Sequence, residues 1–207
     1  IALRDGHLSV SQGEFIVIIG PSGGGKSTLL HLLGGIDRPT QGELQVNGVD
    51  LVAASDAALT RFRRDNIGFV FQFYNLLPSL NALDNVILPL IARGLGWKIS
   101  RQLGAAMLEQ VGLAHRKKHL PSQLSGGEQQ RVAIARAMVV EPCVILADEP
   151  TGDLDSISAR NIITLMLDLN QRLGATFIVA THNLDLLKVS GRAYQLVDGS
   201  LNILQTG

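Results

Sequence analysis

Cysteine is nearly absent: Cys143 is the only one in 207 residues, so no disulfide framework can form within the chain. It sits in an apolar run with no histidine close in sequence, which reads as a buried core thiol rather than a nucleophile, and a reducing compartment fits. An excess of charge is missing too. Eighteen Lys and Arg residues balance eighteen Asp and Glu, so the chain lacks the basic field of a dedicated nucleic-acid binder. The short basic runs at 61–64 and 116–118 read as solvated helix faces. No apolar run approaches the ~20 residues that would span a bilayer, and no signal peptide opens the chain, so any membrane role is expected to come through a partner. Repeats and low-complexity tracts are missing as well. The length suits one α/β domain with a small inserted subdomain.

Glycine, by contrast, is plentiful, with 22 residues. Its densest cluster is Gly20-Pro21-Ser22-Gly23-Gly24-Gly25-Lys26-Ser27-Thr28. This cluster follows the apolar run Phe15–Ile19 and leads into a helical pattern at Leu29, Leu30, Leu32 and Leu33. Strand, glycine-rich loop and helix in that order carry the G-x-x-x-x-G-K-[ST] spacing of a phosphate-binding loop. The glycines let several backbone N–H groups turn inward around one anion, and the positive end of the helix dipole points at the same place. Lys26 can then reach the β- and γ-phosphates, and the Ser27 hydroxyl can ligate Mg²⁺. This stretch predicts nucleotide binding.

The remaining elements follow from pattern. Residues 1–14 read as strand and turn, and Gly42–Gly48 as an antiparallel strand bounded by glycines. Asp56–Arg64 is predicted as a short helix and Ile67–Phe71 as a strand that leaves Gln72 at its carboxyl end, where α/β sheets place their ligands. Phe73–Leu80 is apolar and aromatic but interrupted by Pro78, a poor core helix. A helix is expected from Asn81 to about Arg93, its Asn81-x-x-Asp84 start resembling a capping box, and 100–140 is helix-rich. Val144–Ala147 is a strand ending in Asp148-Glu149, followed by a helix over Ser158–Leu173 stopped at Gly174. Thr176–Ala180 is a strand ending at Thr181-His182; a last helix over Leu184–Val189 and two short strands, 193–197 and 201–204, close the chain.

Two carboxylates at a strand end suit the second element of a phosphate-loop NTPase. Asp148 can hold Mg²⁺ directly or through water, and Glu149 is placed to polarise an attacking water. His182, ending another parallel strand, is open to either a structural role or contact with the γ-phosphate from the far side. In Leu124-Ser125-Gly126-Gly127-Glu128-Gln129-Gln130-Arg131, Ser125 and Glu128 form a capping box for a helix through Val132, Ile134, Ala135 and Met138. The box leaves Gly126-Gly127 unexplained, since each glycine weakens a first turn by ~1 kcal/mol relative to Ala. Paired glycines there let an anion approach the N–H groups, implying a second phosphate site or the same phosphate reached from another subunit.

Gly20–Thr28, Gln72, Leu124–Arg131, Val144–Glu149, Leu154-Asp155 and His182 occur in the order and setting of the ATP-binding cassette (ABC) ATPases, which the whole chain resembles. The resemblance implies an α/β fold: a P-loop NTPase core with a mainly parallel sheet, an N-terminal antiparallel β subdomain and an inserted helical subdomain. Residues 1–80 and 141–207 would form the core and about 81–140 the helical insertion. It implies two cassettes, like or similar, packed head to tail around two ATPs with Mg²⁺. Ser125, Gly126 and Gly127 of one copy would then contact the γ-phosphate held by Gly20–Thr28 of the other. By resemblance Glu149 orients the water, His182 stabilises the γ-phosphate, Asp155 lies on the dimer interface, and Ser27, Gln72 and Asp148 surround the metal. Gln72 would report the nucleotide state to an integral-membrane permease docking near Gln72–Leu80.

The implied function is the ATP-hydrolysing subunit of a transporter, peripheral on the cytoplasmic face of the inner membrane. The alternative is a nucleotide-gated mechanical module that moves no substrate. Leu32–Thr40 and Asn75–Pro78 resemble the branch serving lipoprotein release, macrolide export and cell division. Two departures stand out. No aromatic precedes Phe15 to stack on adenine, so that residue is expected upstream of Ile1. Asn183 stands where the family usually has Asp; both can cap a helix.

Overall fold

Runs of apolar residues with little polar interruption are what parallel strands need when helices cover both faces of their sheet. The computed structural model, which describes residues 3, 4 and 6–204, uses them in that way. The chain runs through β1 (Phe15–Ile19), α1 (Lys26–Leu33), β2 (Gln45–Val46), β3 (Val49–Asp50), α2 (Asp56–Asn66) and β4 (Ile67–Val70). Three helices follow: α3 (Ala82–Ala92), α4 (Trp97–Gln110) and α5 (Gly126–Met138). Then come β5 (Val144–Asp148), α6 (Ser156–Leu173), β6 (Phe177–Thr181), β7 (Arg192–Val197) and β8 (Ser200–Leu204).

The sheet order is β4-β5-β6-β1-β7-β8, parallel throughout except for the antiparallel β7–β8 edge. Alternation along β1 divides the core. Phe15 and Val17 join one buried cluster with residues of α3, α5 and α6, while Ile16 and Ile18 join a second with Leu30 and Leu33 of α1 and Leu59 and Phe62 of α2. The strand carrying the glycine-rich loop is therefore central and dry on both faces.

Backbones of β4 and α5 approach closely across these layers. A Cβ added at Gly68 would lie 2.5 Å from the carbonyl oxygen of Ala137, a backbone atom that cannot swing aside. Gly68→Ala is expected to destabilise the protein by about 1–3 kcal/mol, as overpacking typically does. At this size each kcal/mol lowers Tm by roughly 2–4 °C. Scanning calorimetry checks it; an unchanged Tm would mean that helix and strand do not approach this closely.

Several elements differ from their sequence-based expectation. Ile1, Ala2 and Asp5 lie outside the described residues, and among the others no strand forms before Phe15. The strand expected over 42–48 is only two residues long. Asn47 (φ 50°) and Gly48 (φ 74°) turn the chain at once into its antiparallel partner β3, a two-residue hairpin. The Asn81 box is half formed: Asn81 Oδ1 accepts from the Asp84 N–H at 2.9 Å. The Asp84 carboxylate, however, takes the Asn81 side-chain amide (2.6 Å) and Arg101 (2.7 Å) instead of the backbone. The helix expected from Ser158 begins at Ser156, because Asp155 is its cap. Residues 184–188 form a 3₁₀ segment rather than an α-helix.

Candidate functional site

The parallel register brings three strand ends together. Ile19 lies beside Thr181 across β1–β6, and Asp148 beside Ala180 across β5–β6. The chain leaves β1 at Gly20 and enters α1 through Gly25, whose left-handed backbone (φ 94°) suits a residue without Cβ. Gly23–Thr28 line a small cleft of about 160 Å³ at the positive end of α1. Lys26 is 6% exposed. Its ammonium donates to the carbonyls of Gly20 (2.8 Å) and Pro21 (3.1 Å) and lies 3.4 Å from Glu149 Oε1. Loop and strand-end carboxylate thus share one cation.

Glu149 is the hub. Its other oxygen, Oε2, accepts from the Thr181 hydroxyl (3.0 Å) and the His182 N–H (3.2 Å), and sits 2.9 Å from His182 Nδ1. Burial pushes its carboxyl pKa up, but the hydrogen bonds from His182 and Thr181 outweigh that and hold it below the ordinary value. It is therefore ionised at neutral pH, as a water-polarising base must be. Its backbone is in the left-handed region (φ 46°), a conformation that a non-glycine residue keeps only when its surroundings impose it. Here the Glu149 N–H donates to Ala180 O (2.8 Å), and Gly152 N–H donates to Glu149 O (3.0 Å).

Gln72 follows β4 and donates to Asp153 Oδ1 at 3.2 Å, in the turn after Glu149. Ser27, Asp148 and Gln72 all offer oxygen, the hard donor that Mg²⁺ takes. Among the described residues no three His, Cys, Asp or Glu side chains cluster to hold a metal by themselves. A set this sparse fits an ion that completes its coordination with phosphate oxygens and water.

Ser125–Gly127 stands elsewhere. Ser125 Oγ accepts from the Glu128 N–H (3.2 Å) and Glu128 Oε2 from the Ser125 N–H (2.9 Å), the reciprocal box expected from the sequence. The Ser125 N–H, with Arg116 adding to it, holds the Glu128 carboxyl low. A Cβ at Gly126 would come 2.9 Å from the Tyr74 hydroxyl, so packing accounts for that glycine; at Gly127 the nearest atoms, in Ser158, are an ordinary 3.5 Å away. Gly127 alone keeps the anion reading without a packing rival. Asp155 caps α6, accepting from the Ile157 and Ser158 N–H groups at 3.0 Å each. The starts of α5 and α6 thus form one exposed patch, outside the cleft lined by Gly23–Thr28. A second, roomier cavity, about 870 Å³ and lined by Leu8, Asn66, Met138, Cys143 and Thr176 among others, lies at the opposite, amino-terminal end of the strands.

A family model described as ABC transporter matches residues 3–152. The chain belongs to the ABC transporter family. Over 200 residues it is 48% identical to the lipoprotein-releasing system ATP-binding protein LolD of Coxiella burnetii, covering 96% of this chain and 86% of that one. The LolD of Pseudoalteromonas translucida is 46% identical over 204 residues, 99% and 88% of the two chains. A solved ATP-binding cassette, described as a dimeric post-hydrolysis state bound to ADP and Pi, matches with a TM-score of 0.87 at 43% identity, covering 97% of this chain and 88% of that one. The protein is accordingly an ATP-binding, ATP-hydrolysing ABC cassette with an α/β P-loop NTPase fold.

Within this ABC cassette, sequence reasoning overlooked three side chains. Thr181 is fully buried and holds Glu149, and its only sequence signal is its place beside His182. Gln130 is also fully buried, and its only sequence signal is its place in the Leu124–Arg131 motif. Arg136 on α5 donates to the carbonyls of Tyr74 and Asn75. Those two residues adopt positive φ (59° and 49°), so one guanidinium fixes an otherwise disfavoured turn.

Proposed function

We propose that this cassette powers an integral-membrane partner through ATP-driven closure of a head-to-tail pair, like or similar copies each lending Ser125, Gly126 and Gly127 to its neighbour's nucleotide. The observation carrying this reading is that the helix start at Ser125–Gly127, where packing leaves Gly127 unexplained, contributes nothing to the cleft of its own chain. The dimeric descriptions of the solved cassettes support it. Gly20–Thr28 hold the triphosphate, and Lys26 leaves Glu149 for the phosphates. Ser27, Asp148 and Gln72 hold Mg²⁺, which when bound offsets phosphate charge. Glu149 orients and deprotonates the attacking water; His182, released from Glu149, stabilises the γ-phosphate. Asp155 fixes the start of α6 at the interface. Loss of the γ-phosphate removes the anchor shared by both copies, and the pair opens.

Residues 1–80 and 141–207 act as the nucleotide-binding core and about 81–140 as the helical unit that presents Ser125. No helix among the described residues is long and apolar enough to cross a membrane. The permease, at the cytoplasmic face of the inner membrane, is placed at Gln72–Leu80. There Phe73 is 71% and Leu77 47% exposed, whereas Leu76 packs onto the main core. The LolD relatives belong by name to lipoprotein-releasing systems, and that is the branch we favour.

The test is co-purification from membranes. The native cassette should bring down a multispan protein, and a Phe73→Ser/Leu77→Ser protein should lose it about tenfold or more while basal hydrolysis stays within about twofold. Undiminished recovery of the partner would remove the docking assignment.

A further inference from the structure

Gln130 lies on α5 five residues after the Ser125 cap, and its side chain is fully buried. Its amide nitrogen donates to the Pro150 carbonyl at 2.7 Å, which among the described residues accepts from no other group. The acceptor being a carbonyl, the amide must present its nitrogen there, and its oxygen Oε1 is left buried with no protein partner among the described residues. A side chain serving packing alone would carry no orphaned acceptor, because an unmet buried polar atom is a standing cost. What Gln130 supplies is that single bond.

The bond falls at a sensitive place. Proline has a fixed φ, so anchoring the Pro150 carbonyl sets the orientation of the whole residue. One planar peptide away is Glu149, already held in left-handed backbone. The helix that begins with Ser125–Gly127 is thus tied, through a buried hydrogen bond, to the turn that holds the Glu149 carboxylate.

We propose that Gln130 is a positioning residue through which α5, on engaging the neighbour's γ-phosphate, readies Glu149 for the ATP in its own cleft. This rests on the head-to-tail reading above. Each α5 then serves two nucleotides at once, reading one through its first turn and setting the chemistry of the other through Gln130. The two sites become cooperative without a contact between their nucleotides.

The test compares wild type with Gln130→Leu and Gln130→Met, which keep the volume and remove both the donor and the orphaned oxygen. Steady-state hydrolysis against ATP concentration should show kcat lowered about tenfold or more and the Hill coefficient reduced toward unity, with affinity for a fluorescent ATP analogue within about twofold. Wild-type kcat and Hill coefficient in either folded variant overturn the proposal. So does a loss of kcat that merely tracks a loss of ATP affinity and of Tm, or failure of both variants to fold, since each assigns Gln130 to packing. A Glu149→Gln/Gln130→Leu double variant separates the two levels. It is expected still to dimerise in ATP; if Glu149→Gln alone stays monomeric, the head-to-tail reading fails rather than the role of Gln130.

Discussion

A Glu149→Gln protein is expected to turn over ATP roughly 10²–10⁴-fold more slowly than wild type, the range that a lost general base costs. It should at the same time accumulate as an ATP-bound dimer. The carboxamide keeps the size of the side chain and one oxygen for the Thr181 hydroxyl, now 3.0 Å from Glu149 Oε2. It cannot take a proton from water. It also carries no negative charge to oppose the γ-phosphate, so nucleotide and neighbour are retained while hydrolysis stops. In the free chain Lys26 (3.4 Å) and His182 (2.9 Å) both face that charge. Neutralising it frees the Lys26 ammonium to turn toward the triphosphate, which favours the bound state further. Phosphate release and light scattering in saturating ATP read the two effects. A monomer under those conditions would count against the sandwich.

Ser125→Arg tests the other half of the shared site. Loss of the cap on Glu128 N–H should cost about 1 kcal/mol of helix stability, and a cation at the positive end of α5 is unfavourable. The larger effect is steric, because in the proposed pair the long side chain would fill the space that the neighbour's γ-phosphate would occupy. Hydrolysis should fall roughly 10²-fold or more, comparable to losing a preorganised oxyanion donor. ATP should still enter the cleft of Gly23–Thr28, which contains no part of 125–127. Ser125→Ala separates the contributions, losing the cap alone. Equilibrium binding of a fluorescent ATP analogue beside phosphate release decides; turnover unchanged by the arginine would remove Ser125 from the site.

Both substitutions fall on residues that the sequence already singles out. Glycine-rich loop, strand-end acids and capping box could all be read along the chain, because each depends on backbone geometry within a few residues. Positive φ at Gly25, N–H groups gathered at the start of α1 and the reciprocal Ser125–Glu128 bonds are local facts. Strand interiors were legible too, being nearly uninterrupted apolar runs. Their ends were less so: the hairpin at Asn47-Gly48 shortened a strand, and the Asp155 cap lengthened a helix.

What the amino-acid order determined by itself was a glycine-rich loop between strand and helix, a pair of acids at a strand end and a capped, glycine-bearing helix start. Only the tertiary structure decided who touches whom. The order β5-β6-β1 sets Asp148 and Glu149, Thr181 and His182, and the loop with Lys26 at the carboxyl ends of the central strands, making Glu149 the shared partner of a lysine and a histidine from distant segments. It likewise turned Leu76 inward and Leu77 outward, and joined Gln130 to Pro150. The reason is physical. Caps, dipoles and left-handed glycines are settled by covalent neighbours, whereas a hydrogen bond between remote side chains depends on which strands pair and how tightly helices press on them.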